Sequence, residues 1–226
     1  MITSYRLYEA ILQKLSVQLN NFTDIFTLNY DLFLYHIIMK IKDKSDAEHR
    51  YAPYSDYFWG GKDDGPFKKF MDYDEYRRNH VYYLHGALFL FKIPPDTLKL
   101  KRGGDSKELV TMIGDIIAEG IMPLFVSEGK YKEKLETIER SNYLSFCYEA
   151  LEQSENKLVI FGSSLSSQDA HIANAINYKR NNRELAIAIH ISRKTKSELE
   201  EEIKRFRWNF RRHKIYFFDS ETIFKF

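Results

Sequence analysis

The C-terminal half of the chain alternates short, continuously apolar segments with helical ones, and this alternation constrains the fold most. "KLVIFGSSLSSQDAHIANAI" (157–176) predicts a strand, a glycine–serine turn and a helix. "LAIAIHIS" (185–192) predicts another strand, 195–208 a charged helix, and "KIYFFD" (214–219) a last strand. Apolar strands that alternate with helices are typical of a parallel sheet covered on both faces. We therefore predict an α/β fold with a doubly wound, mostly parallel sheet.

The N-terminal half is less regular, although we predict one domain over residues 1–226. Residues 43–80 combine charges, glycines and prolines with many tyrosines and show no sustained period, which predicts an irregular Tyr-rich insertion. Its "YAPYSDYFWGG" (51–61) is either a protein interface or an ordinary surface excursion. The remaining predicted helices lie at 4–20, 32–41, 106–119, 130–139 and 142–153. The remaining predicted strands lie at 24–31, in the apolar run 81–91, where "VYYL" ends at His85-Gly86, and at 122–129 together with a loop, and a break is predicted at 93–106.

Charge and cysteine content narrow the function classes. With 34 basic and 32 acidic residues the net charge is +2, so no global charge favours nucleic acid or an anionic membrane. The single Cys147, in a predicted helix, excludes an internal disulfide and a cysteine-rich zinc site, and we expect it in the core. We predict no metal. No apolar run is long enough to span a bilayer, and we predict a cytoplasmic protein without a membrane segment.

Only "KRFRWNFRRHK" (204–214) is locally basic with interleaved aromatics. It is either the solvated end of an amphipathic helix or a patch that faces phosphates, nucleic acid or a partner. The residues that such a patch would use are Arg205, Arg207, Trp208, Arg211 and Arg212.

Ligands of open α/β sheets bind beyond the carboxyl ends of the strands, and this rule selects three loops. They are Asn29-Tyr30-Asp31, His85-Gly86 and Gly162-Ser163-Ser164. The Gly-Ser-Ser turn suits a phosphate, and Asp169 either caps the following helix or meets a ribose hydroxyl. Taken singly, each loop is equally explained as a turn, a helix cap or a structural histidine.

Four motifs in this order make the chain similar to an uncharacterised prokaryotic family related to the sirtuins. They are "FTLNYDLFLYH", "YYLHGALFLF", "PLFVSEG" and "VIFGSSLSSQDAHI", and the resemblance covers residues 20–178. The skeleton also resembles sirtuin-like domains of bacterial and archaeal immune systems. The resemblance implies a Rossmann-related, sirtuin-like fold and a site for NAD.

The same resemblance implies roles for individual residues. Asn29 matches an asparagine that faces the ribose next to nicotinamide, and Asp31 an aspartate near the carboxamide. His85 matches the sirtuin histidine, a general base whose neutral imidazole can accept a proton near pH 7. The residues Gly162, Ser163, Ser164 and Asp169 match the turn and helix start that hold phosphates or the adenosine ribose. The resemblance implies NAD hydrolysis rather than protein deacetylation, since the zinc cysteines of deacetylases are absent.

One departure separates the chain from that family. Sirtuin-like domains carry an early Gly-rich phosphate loop, whereas the 28 residues before Asn29 contain no glycine. Loss of that loop removes the main cradle of backbone amides for a pyrophosphate. We therefore predict a degenerate sirtuin-like subunit of a prokaryotic antiviral defence complex, Argonaute-associated or paired with another nucleic-acid sensor. The alternatives are an NAD-hydrolysing effector with His85 as base, and a purely structural reading of the motifs.

Overall fold

The computed structural model describes residues 2–19, 21–47, 54–60, 65–73, 79–101, 106–126, 129–155, 157–178, 181–192 and 194–224. The chain divides into two compact units. Unit 1 comprises Met1–Ser127 and Thr137–Cys147, and unit 2 comprises Glu128–Glu136 and Tyr148–Phe226. The prediction of one domain over the whole chain stays a prediction.

Within the described residues the chain forms seven α-helices and eleven β-strands. The helices are α1 (Ile2–Leu19), α2 (Phe33–Ala47), α3 (Ser106–Ala118), α4 (Tyr131–Glu139), α5 (Asn142–Gln153), α6 (Ala170–Asn177) and α7 (Lys196–Asn209). The strands are β1 (Asp24–Thr27), β2 (Tyr54–Ser55), β3 (Phe58–Trp59), β4 (Phe67–Phe70), β5 (Asn79–Tyr83), β6 (Gly86–Ile93), β7 (Asp96–Leu100), β8 (Pro123–Phe125), β9 (Leu158–Ile160), β10 (Glu184–Ile189) and β11 (Lys214–Asp219).

The described strands form three hydrogen-bonded sheets. Together with the seven helices, these sheets confirm the α/β class. Unit 1 holds a parallel sheet of order β1-β5-β2 and a five-stranded antiparallel sheet of order β3-β4-β7-β6-β8. Unit 2 holds a parallel sheet of order β11-β10-β9. Parallel pairing therefore prevails in two of the three sheets, while the doubly wound arrangement stays a prediction.

The aromatic run 81–91 forms two strands in two different sheets, and its first part, "VYYL", ends before His85-Gly86 as predicted. β5 pairs in parallel with β1, whereas β6 pairs antiparallel with β7 and β8. The chain turns at Gly86, where φ is +83° and a Cβ would lie 2.0 Å from the carbonyl oxygen of Leu124. Only glycine fits so close to another strand's backbone at this φ, which explains the glycine inside an otherwise apolar run.

The predicted irregular insertion supplies strands to both sheets of unit 1. β2 extends the parallel sheet, and β3 and β4 form one side of the antiparallel sheet. Tyr54, Tyr57 and Phe58 are 7%, 8% and 4% exposed. These aromatics are therefore core residues, and the interface reading of "YAPYSDYFWGG" is wrong for them because their rings are buried within unit 1.

Strand β7 lies inside the segment that was predicted only to break the chain. Polar and apolar residues alternate in "DTLKLK" (96–101), a strand pattern that was not recognised beside the two prolines. Thr97, Lys99 and Leu100 of this strand are buried. Cys147 is fully buried on α5, as expected. Among the described residues, no helix combines the length and apolar character needed to cross a membrane.

Candidate functional site

The two predicted loops of unit 1 lie at one edge of its parallel sheet. β1 and β5 are parallel neighbours, so Asn29 to Asp31 and His85 both follow the carboxyl ends of these strands. The backbone N–H of Leu84 donates to the carbonyl oxygen of Thr27 at 2.9 Å, and that of Leu88 to Tyr30 at 2.9 Å. The structure thus joins the backbone of the first loop to the segment that carries His85.

The three predicted site residues of these loops differ in their local contacts and in their exposure. The Asp31 carboxylate accepts a 2.8 Å hydrogen bond from the N–H of Phe33 and so caps the start of α2. Asn29 is exposed, and its N–H donates to Thr27 Oγ1 at 3.1 Å. His85 is only 5% exposed, and its carbonyl oxygen accepts from Val126 at 2.9 Å. The roles of these three residues in binding or catalysis stay predictions.

In unit 2, the Gly-Ser-Ser turn follows β9 and is followed by a residue with a strained backbone. Gly162 has φ +69°, and Leu165 has φ +41° although it is not glycine and is 2% exposed. Ser163 Oγ accepts from the N–H of Leu165 at 3.3 Å, which stabilises the turn. The Ser164 carbonyl oxygen accepts from the Arg205 guanidinium at 3.2 Å. Backbone strain of this kind is concentrated at functional sites.

Asp169 stands at the N-cap position of α6, but its side chain makes no cap hydrogen bond. Its carboxylate instead forms a 2.8 Å ion pair with Lys134. The carboxylate that was predicted to cap the helix or to meet a ribose hydroxyl therefore already has a charged partner.

His171, which sequence reasoning did not select, follows Asp169 on α6 and is fully buried. Burial lowers the pKa of this imidazole to about 4, against the opposing effect of the Asp169 carboxylate. The Lys134 ammonium acts in the same direction as burial. The Tyr148 hydroxyl donates to the His171 carbonyl oxygen at 2.8 Å. His171 is therefore a neutral core histidine at pH 7.

A groove of about 640 Å³ lies in unit 2. It brings together the segment after the Gly-Ser-Ser turn and the basic-aromatic segment, which the sequence presented separately. One wall comes from the residues after the Gly-Ser-Ser turn and from α6, the other from the end of α7 and the turn that follows it. Every charged side chain among its described lining residues is an arginine. These residues are Ser166, Ser167, Ala170, Ala173, Asn174, Asn177, Arg205, Trp208, Asn209, Arg211 and Arg212.

The α6 wall was missed, although its signal is a simple helical period. Ala170, Ala173, Asn174 and Asn177 follow the spacing i, i+3, i+4, i+7 and so share one face of the helix. The two alanines leave room for the groove. Asn177 closes the far end of this wall, since its Nδ2 donates to the Asn209 carbonyl oxygen at 3.1 Å and its Oδ1 lies 2.9 Å from His213 Nε2.

The predicted basic-aromatic residues separate into two groups. Arg205, Trp208, Arg211 and Arg212 line the groove, whereas Arg207 does not belong to its described lining. The Arg207 guanidinium lies 5.9 Å from the centre of the Phe217 ring on β11. A helix places residues two positions apart on different faces, which accounts for this separation.

Trp208 is 69% exposed, the largest value among the described large hydrophobic side chains. The Arg211 guanidinium lies 5.1 Å from the centre of its indole ring, a cation–π contact that restrains the ring. An exposed indole beside three arginines can offer a stacking surface and positive charge together. These groups suit a ligand that carries phosphates and flat rings.

A second polar cluster that the sequence reasoning did not select follows β10 and β11. The Ser192 hydroxyl donates to Glu221 at 2.6 Å and lies 3.3 Å from His190 Nε2. Ser220 Oγ lies 3.4 Å from His190 Nδ1. The cluster ties together the loops at the carboxyl ends of two parallel strands, the edge that the rule for open sheets singles out.

Comparison with known proteins assigns a family to the chain. A family model described as "Domain of unknown function (DUF4917)" matches residues 3–224. A search of curated proteins found no match.

Proposed function

The chain belongs to the DUF4917 family, and we propose that it is a non-catalytic, degenerate sirtuin-like subunit of a prokaryotic antiviral defence complex. In this role it binds nucleic acid through the unit 2 groove and assembles with a protein partner, for which an Argonaute-type nucleic-acid sensor is our candidate. The observation that carries the proposal is the convergence of Arg205, Arg211, Arg212 and the exposed Trp208 on one groove.

The charge of the groove supports a phosphate-bearing ligand. The net charge of the whole chain is only +2, so the three arginines are a local concentration rather than part of a generally basic surface. Guanidinium groups bind phosphate oxygens through paired hydrogen bonds, which is why arginine prevails at phosphate sites. Serine hydroxyls and asparagine amides on the opposite wall add neutral hydrogen-bonding groups.

One predicted NAD contact of unit 2, the Asp169 carboxylate, already has a charged partner within the chain, which favours a non-catalytic role. Asp169, the predicted ribose partner, is engaged by Lys134.

A phage-protection assay with the whole system tests the proposal. The chain is expressed with the products of its neighbouring genes in a bacterial host, and protection and co-purified nucleic acid are measured. We expect the double variant Arg211→Gln/Arg212→Gln to lose both, while His85→Ala and the more conservative His85→Gln retain both. Lys196→Gln, which removes an exposed charge from the other end of α7, is the matched control.

Loss of protection in both His85 variants with an intact groove variant would overturn the proposal. Thermal melting of each purified variant separates loss of function from loss of folding, which matters because His85 is buried. Co-purification of the partner with the groove variant further separates the nucleic-acid contact from assembly.

A second candidate function is NAD hydrolysis with His85 as general base. The observation that favours it is the backbone hydrogen bond between Leu88 and Tyr30, which holds the Asn29–Asp31 loop beside the segment of His85. Incubation of the purified chain with NAD, alone and with its neighbouring gene products, tests it directly. Nicotinamide release that depends on His85 establishes the hydrolase, and absence of release in every mixture rejects it.

A further inference from the structure

We propose that the ligand of the unit 2 groove is a single-stranded nucleic acid that stacks a base on Trp208 and lays its phosphates along Arg205, Arg211 and Arg212. This inference rests on the proposed nucleic-acid function and specifies the form of the ligand. It adds that a base stacks on Trp208 and that the ligand is single-stranded, and the basic charge alone indicates neither.

The shape of the groove favours a strand over a duplex. Proteins read duplex DNA by inserting a protruding helix or ribbon into a groove about 12 Å wide. Here the arginines instead line a concavity between the face of α6 and the end of α7. A concavity suits an extended strand better than a duplex, because a duplex is read by an element that protrudes into its groove.

The exposure of Trp208 favours unpaired bases. The indole is 69% exposed and lines the groove, so it is accessible to a base that enters the groove. Bases in a duplex are already stacked on each other, and only an unpaired base presents a free face to a side chain. The Arg211 contact at 5.1 Å restrains the ring, which lowers the entropy cost of stacking.

The positions of the arginines suit a backbone that passes the indole. Arg205 and Trp208 are three residues apart on α7, and so lie on the same side of the helix about 4.5 Å apart along its axis. Arg211 and Arg212 follow in the turn after the helix. Positive charge therefore lies on both sides of the stacking surface along the chain. A strand with a base on Trp208 has phosphates on both sides of that base.

The neutral wall predicts weak sequence preference. The α6 face offers alanines and asparagines, and Asn177 is already engaged by Asn209 and His213. Asn174 and the two serines before α6 are the other polar side chains of this wall, and three neutral groups can read few base edges. Binding that depends on stacking and phosphate contacts is tolerant of sequence and sensitive to salt.

The test measures fluorescence anisotropy of a labelled short oligothymidylate with the purified full chain, beside oligouridylate and a duplex of equal length. We expect both single strands to bind more tightly than the duplex. Trp208→Ala weakens binding roughly 5- to 150-fold, the effect of losing one base–aromatic stack. Trp208→Phe retains most of the affinity because phenylalanine keeps an aromatic face. Tyr216→Ala, which removes a 57% exposed aromatic on β11 outside the groove lining, leaves affinity unchanged.

The outcomes separate this inference from the function on which it rests. Duplex binding that is as tight as single-strand binding, or tighter, overturns the single-strand inference and leaves the nucleic-acid function standing. The same holds if Trp208→Ala leaves affinity unchanged while Arg211→Gln/Arg212→Gln weakens it. Binding of thymidine mononucleotide as tight as that of the oligomer also overturns it. Failure of every nucleic acid to bind, with tight binding of a poly-glutamate peptide, overturns both and assigns the groove to an acidic protein segment.

Discussion

The Arg205 guanidinium and the Ser164 carbonyl oxygen, 41 residues apart in the chain, are joined by a hydrogen bond of 3.2 Å. This bond links α7 to the turn that follows β9. Arg205 also lies 3.4 Å from the Glu202 carboxylate, so its position is held from two sides. The relationship explains how the residues that follow a strained turn and those of a basic helix end come to line one groove in unit 2.

Removal of Arg205 tests whether this guanidinium contacts phosphate. We expect Arg205→Gln to reduce the slope of log affinity against log salt for a single-stranded oligonucleotide by about 0.7, the value for one phosphate contact. Arg207→Gln, two residues away but packed against Phe217, keeps the slope of the unaltered chain. Anisotropy titrations between about 50 mM and about 200 mM salt measure both. Equal slopes for the two variants would mean that Arg205 contacts phosphate no more than Arg207 does.

Alanine at Gly86 is predicted to destabilise unit 1 strongly. A Cβ would lie 2.0 Å from the Leu124 carbonyl oxygen, and φ is +83°. Strain at positive φ and displacement of β8 together cost about 3 kcal/mol of unfolding free energy. Gly114→Ala on α3 is the matched control, since a Cβ there meets nothing within 4 Å. It should stabilise the chain by up to about 1 kcal/mol. Urea unfolding followed by circular dichroism compares the two, and equal effects would contradict the close approach at Gly86.

The Lys99–Asp56 ion pair is predicted to matter more than pairs at the surface. Lys99 is 7% exposed, and its ammonium lies 5.4 Å from the centre of the Tyr35 ring and 5.6 Å from that of Phe89. Asp56→Asn leaves this cation without its carboxylate and should cost about 3 kcal/mol of unfolding free energy.

Two further variants complete this comparison. Asp56→Asn/Lys99→Met removes both charges and should recover most of the loss, because the stranded charge rather than the missing pair is the larger cost. Glu184→Gln breaks the pair with Lys157, whose side chain is 83% exposed, and should change stability little. A double variant as unstable as Asp56→Asn would show that the unpaired Lys99 charge is not the cause of the destabilisation.

His171 predicts a loss of stability in acid. Burial lowers its pKa to about 4 in the folded chain, against 6.5 when it is exposed. Between these values the unfolded state binds the proton and the folded state does not, so unfolding free energy falls as pH falls through this window. The loss from pH 7 to pH 5 amounts to about 2 kcal/mol. Urea unfolding of His171→Gln at the two pH values should show a loss smaller by this amount, and an identical loss would show that His171 does not titrate in this window.

The elements that depend on local pattern were predictable from sequence. The strand 214–219, the helix 106–119 and the strand–turn–helix of 157–176 appear in the structure within a few residues of their predicted bounds. The burial of Cys147 was predicted from its place in a helix. Apolar periodicity and turn residues act over a few positions, so the residues that decide these elements lie inside them.

The tertiary structure alone decided which segments meet. Gly86 divides one apolar run between two sheets because the backbone at Leu124, far along the chain, lies against it. Arg205 reaches Ser164 and Lys134 reaches Asp169 across similarly long separations. Sequence by itself determined the α/β class, the strand ends and the basic-aromatic segment. The groove formed only when packing brought the face of α6 against the end of α7, since pairing between distant residues depends on the whole fold and leaves no local pattern.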